Sequence, residues 1–97
     1  MEKIRTGEVD ALFDAILALN SREECYRFFE DALTVKEILD IAQRLKAAKM
    51  LKSGKSYTEV IAETGMSTAT ISRVSKALEH GAGGYELVIT RVGEKND

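Results

Sequence analysis

The segment from Tyr57 to Leu78 reads YTEVIAETGMSTATISRVSKAL, two short helical patterns on either side of a turn at Gly65. Val60, Ile61, Thr64, Met66, Ile71 and Val74 fall where such a unit buries its inner face. Ser67, Thr68, Ala69, Thr70, Ser72, Arg73 and Lys76 fall on the outer face of the second pattern. Small and hydroxyl-bearing side chains let a helix approach a major groove closely, and the two cations reach phosphates. The spacing predicts a helix-turn-helix over about residues 57–79, with those seven residues as its contacts to double-stranded DNA. Thr68, Ala69 and Ser72 are expected at base edges, the other four at phosphates or in capping. A trihelical unit that packs only on protein shares the same periodicity and is the alternative.

The rest of the chain leaves room for little else. Its 97 residues support one small domain, 1–97, and a chain of this size is short of buried surface alone. There is no proline, and the glycines fall at candidate joints rather than inside apolar patterns, which favours an all-α helical bundle. The single cysteine, Cys25, excludes an intramolecular disulfide framework, and as part of an apolar helical stretch it reads as a small hydrophobe. His80 has no ligand at metal spacing and no nucleophile to serve, so neither a metal nor catalysis is expected, and no cofactor. The Gly81–Gly84 run has no strand before it and no lysine after it, unlike a phosphate-binding loop. No signal-type or membrane-spanning apolar run occurs, and the cytoplasm is the expected location.

Upstream, Val9, Leu12, Phe13, Ile16 and Leu17 form one buried-type helical stripe, interrupted at Asn20 and Ser21. Ser21 with Glu24, Thr34 with Glu37, and Ser56 with Glu59 each have capping-box spacing at a predicted helix start. The third helix is expected to run to about Lys52 and to end near Gly54 in a left-handed cap. Beyond Gly81, Tyr85, Leu87, Val88, Ile89 and Val92 fit either a short closing helix or an extended segment, since their β-branching weakens helix, and Gly93–Asp97 are expected to fray.

The net charge of −2 argues at first against a polyanionic partner, but its distribution matters more. Residues 1–43 hold five basic and ten acidic side chains, whereas residues 44–80 hold seven basic and three acidic. Lys46, Lys49 and Lys52 recur at helical spacing and either follow a phosphate backbone or form a solvated face.

Helices two and three are apolar over too wide an arc for a chain with one wet face. The second carries Cys25, Tyr26, Phe28, Phe29, Ala32 and Leu33, the third Ile38, Leu39, Ile41, Leu45 and Leu51 among others. Leaving four or five large side chains in water forgoes about 1.5–3 kcal/mol each. A homodimer packing these helices across a two-fold axis removes the problem and spaces two reading helices about one DNA turn apart.

From Leu33 to Leu78, through LTVKE, Arg44, LKSGKSYTEV and TATISRVSKAL, the sequence resembles the Trp repressor superfamily. It is most similar to the YerC/YecD-type branch of small bacterial proteins, nearly throughout and including the GAGGYELV tail. The resemblance implies a Trp-repressor-like intertwined homodimer, with the tail from Tyr85 to Val92 as a short helix docked on the core, and a transcriptional regulator, by family type a repressor; replication-origin recognition domains carry a related helix-turn-helix. It also implies a ligand site. Arg44, Arg73 and Thr34 match the residue types that hold tryptophan in the repressor, while Val74 and Ala77 replace its pocket glycine and serine. The extra carbons of valine in a tight slot cost about 1–3 kcal/mol, and a lost hydroxyl partner roughly another 1 kcal/mol. The turn is also one residue shorter than the repressor's. Phosphate contact or ion pairing across a dimer is then the favoured role for both arginines, and no tryptophan response is expected.

Overall fold

The computed structural model describes residues Glu2–Asn96. After a short 3-10 turn at Glu2–Ile4 come six α-helices: α1 (Gly7–Leu17), α2 (Arg22–Ala32), α3 (Val35–Lys52), α4 (Tyr57–Thr64), α5 (Thr68–His80) and α6 (Gly84–Asn96). No strand occurs among the described residues.

Side-chain caps set most of the starts. Thr6 Oγ1 accepts from the Val9 amide at 3.2 Å and opens α1, a cap that carries no acidic residue at the third position and so lacks the capping-box spacing. Ser21 accepts from the Glu24 amide at 3.1 Å, but the Glu24 carboxylate reaches back to the Asn20 amide, at 2.8 Å, rather than to Ser21 itself. The other two boxes close fully. Glu37 and Thr34 exchange bonds of 2.8 and 3.1 Å at the start of α3, and Ser56 and Glu59 do the same at α4. α3 ends in a Schellman motif. The Gly54 amide bonds to the Leu51 carbonyl and the Lys55 amide to Met50, both at 3.0 Å, with Gly54 at φ +96°.

By internal contacts the chain forms two compact units, Met1–Ile38 and Leu39–Asp97. In the first, no described residue is buried, and Leu17 and Val35 stand 81% and 73% exposed. Phe28 and Phe29 meet edge to face at 5.3 Å. The second unit holds the buried core: Ala47 and Ala48 of α3, Val60 of α4, Met66 of the turn, and Ile71 and Val74 of α5. Met50, Leu51, Leu78, Tyr85 and Ile89 pack around it. Two consecutive fully buried alanines on α3 leave room for the other helices to come close.

The tail differs from expectation. α6 runs to Asn96 and includes Gly93, so the carboxy-terminal helix is longer than the short one expected, while Asp97 lies outside the described residues. Tyr85 and Ile89 against the core, and Glu86 bonded to Lys52 through both carboxylate oxygens at 2.6 and 2.7 Å, override the weak helix propensity of Val88, Ile89 and Val92. No helix among the described residues is long and apolar enough to cross a membrane.

Candidate nucleic-acid interface

The helix-turn-helix consists of α4, a turn at Gly65–Ser67, and α5. Gly65 lies in the left-handed region at φ +70°, and its amide closes α4 onto the Ile61 carbonyl at 2.8 Å. A side chain at this φ would be strained, which is why the turn needs glycine. Thr64 stitches the same corner, donating to the Val60 carbonyl at 2.7 Å and accepting from the Met66 amide at 3.2 Å. Ser67 then caps α5, accepting from the Thr70 amide at 3.1 Å, with the two hydroxyls 3.0 Å apart.

The inner face is as expected for Val60, Met66, Ile71 and Val74, all buried. Ile61 is the exception. It is 38% exposed, because the turn of helix that seats Val60 in the core carries its neighbour 100° away. Thr64 is half-buried.

On the outer face, Ser67, Thr68, Ala69, Ser72, Arg73 and Lys76 are exposed, and Thr70 is half-buried beside Ser67. Thr68, Ala69, Ser72, Arg73 and Lys76 share one side of α5, opposite Ile71 and Val74. The first turn of α5 carries no acidic residue, whereas those of α1, α2, α3, α4 and α6 all do. The positive end of its backbone dipole is thus left uncompensated by a carboxylate, which suits an approach to anions.

The three residues matched to a ligand site are dispersed over the elements. Arg44 is half-buried on α3 and Arg73 exposed on α5. Thr34 belongs to the first unit, where its amide and hydroxyl are both engaged by Glu37. Val74, which replaces the repressor's glycine, is 2% exposed and part of the core. Ala77 is half-buried.

The lysine row is less free than its spacing suggests. Lys46 lies 3.6 Å from Glu63 and Lys52 2.6 Å from Glu86; Lys55 lies 3.7 Å from Glu59. Only the last pair is at i, i+4 and readable from sequence. The other two join α3 to α4 and to α6 across 17 and 34 positions, and no local signal announces them. The Gln43 side chain bonded to the Thr64 carbonyl, at 3.3 Å, was missed for the same reason. No cluster of metal-ligating side chains occurs among the described residues.

The chain is similar to known proteins over nearly its whole length. The chain is 50% identical over 94 residues to YerC of Bacillus subtilis (strain 168), an uncharacterized protein, covering 97% of this chain and 90% of the relative. A crystal structure of a candidate Trp repressor from Staphylococcus aureus superposes with a TM-score of 0.91 at 50% identity, over 95% of this chain and 92% of that one. A TrpR-like protein from Eubacterium eligens superposes at 0.92 with 46% identity, over 96% of each chain. The sequence pattern of the Trp repressor protein family spans residues 7–93, from the first α-helix into the last, and the chain belongs to that family.

Proposed function

We propose that the protein is a sequence-specific regulator of transcription, a repressor by family type, that binds double-stranded DNA as a homodimer with α5 as the reading helix. One observation carries the reading. α5 rests on the core through Ile71 and Val74 while Thr68, Ala69, Ser72, Arg73 and Lys76 stand free on its other side. Small polar groups near the amino terminus and cations further along are what close groove entry with phosphate anchoring requires. The homodimer is supported by the large apolar side chains that a single copy leaves in water, Leu12, Phe13, Leu17, Tyr26, Val35, Leu39 and Ile41. Arg44 and Arg73 act in this reading as phosphate or interface cations, without a tryptophan effector, and the site of action is the cytoplasm.

Selection of bound sites from a random duplex pool tests it. Enrichment of a two-fold symmetric site with half-sites about 10 base pairs apart is expected, with affinity falling steeply as salt rises. A pool without enrichment and binding insensitive to salt would overturn it. The pairing of Lys46, Lys52 and Lys55 with acids favours a second reading, a module that docks on another protein. Salt-insensitive capture of a protein partner, with no duplex binding, is the outcome that reading requires.

A further inference from the structure

Two polar contacts reach the end of α4 from α3. Gln43 Nε2 donates to the Thr64 carbonyl at 3.3 Å, and Lys46 Nζ lies 3.6 Å from Glu63 Oε2. Gln43 and Lys46, three residues apart, share a helix face, and Ala47 beside them is fully buried. Both contacts answer a local deficit of α4. The Thr64 carbonyl is among the last four of its helix and has no partner within it. Glu63 puts a carboxylate at a helix carboxy terminus, where the backbone dipole disfavours it. α3 thus supplies the missing donor and the missing cation immediately before the turn that aims α5.

We infer that Gln43 and Lys46 are positioning residues for base discrimination, a brace that fixes the pitch at which α5 leaves the turn. The inference rests on the duplex-DNA reading. The apolar contact of Val60, Ile71 and Val74 with the core is non-directional and tolerates small rotations. The Gln43 hydrogen bond at the corner is directional, and the exposed ion pair beside it adds a weaker, solvent-screened attraction between the same two helices. The outer face of α5 responds unequally to such a rotation. Thr68, Ala69 and Ser72 are short and lose base edges on a slight tilt, whereas Arg73 and Lys76 are long and keep phosphates within reach. Loosening the brace therefore lowers the preference for the chosen sequence and spares general affinity for duplex.

The test uses the full chain and its variants Lys46→Glu, Gln43→Ala and the exchange Lys46→Glu/Glu63→Lys. Affinity is measured for the duplex enriched from a random pool and for a scrambled duplex, each over a range of salt. Lys46→Glu and Gln43→Ala are expected to reduce the ratio of the two affinities by about three- to tenfold, as befits solvent-exposed contacts. The charge exchange is expected to restore the parent's ratio and salt slope. An exchange variant as poor as Lys46→Glu alone, with a slope lower by about one, would make Lys46 a phosphate contact and overturn the brace. Unchanged ratios in every variant, with only the melting temperature lowered, would overturn it too. A parent chain that binds no duplex would overturn the DNA reading itself and the inference with it.

Discussion

Lys76 and Ser72 lie one helical turn apart on the exposed side of α5, and the proposed DNA reading gives them two different kinds of contact. Lys76→Ala removes a cation, so binding should weaken alike for all sequences and the salt slope should flatten by about one. On the same reading Ser72→Ala removes a short group at the base edges, so the preferred bases at one position of the selected site should change. Repeating the pool selection with each variant checks both; a Lys76 variant with altered base preference and a Ser72 variant without would mean that α5 sits rotated in the groove. Tryptophan belongs to this scale as well. Because the Val74 side chain fills the core, calorimetric titration of the parent chain should show no saturable tryptophan binding at micromolar levels. Val74→Gly should cost about 2–4 kcal/mol through the lost buried side chain and the helix glycine. Saturable heat from the parent would refute the prediction. Period alone identified most of the outer face of α5, since a helix with a buried Ile71 and Val74 leaves Thr68, Ser72 and Lys76 no other side. It misplaced Ile61, where a short helix of eight residues gives too little pattern to centre the buried arc.

Among the elements, helix starts were legible because capping is local. A Ser or Thr with Glu three positions on satisfies its amides within one turn, whatever lies around it. The box at Thr34 and Glu37 also makes an acid-limb prediction. The bond from the Thr34 backbone amide, and then that from its hydroxyl side chain, hold the Glu37 carboxyl below its ordinary value of 4.5. A lowered carboxylate pKa means the unfolded chain takes up the proton first, so the contribution is full above about pH 4.5 and fades as pH falls through the lower folded value. Glu37→Gln should lower the melting temperature at neutral pH and leave a smaller further loss on acidification, a difference read by thermal melts from pH 7 to 3. Equal acid dependence in both proteins would contradict it. What the sequence could not announce is contact at long range. Lys52 with Glu86 and Gln43 with Thr64 depend on how helices come together, and so does the length of α6, whose β-branched residues argued for less helix than forms.

For the whole molecule, the uneven distribution of buried surface decides what to measure. Among the described residues, every buried one lies in Leu39–Asp97 and none in Met1–Ile38. Helices α1 and α2 gain only partial burial in a single copy, where Ile16, Cys25, Phe28 and Phe29 are half-buried, and short isolated helices are marginal in water. Leu39, 58% exposed on α3, makes the point testable. In a lone chain, Leu39→Asp would be a surface change within about ±0.5 kcal/mol. In a homodimer that buries it, each copy forgoes about 1.5–3 kcal/mol of apolar burial and gains a charge without a partner in the interface. We expect sedimentation equilibrium to return a dimer for the parent chain at micromolar concentration, with a melting temperature that rises with protein concentration. Leu39→Asp should then lose far-ultraviolet helical signal rather than yield a folded monomer. Leu45→Asp, at a half-buried site on the same helix, should unfold as well. A parent chain that sediments as a monomer with native helicity, unmoved by Leu39→Asp, would show that one copy suffices and would remove the two-fold spacing on which the symmetric operator depends.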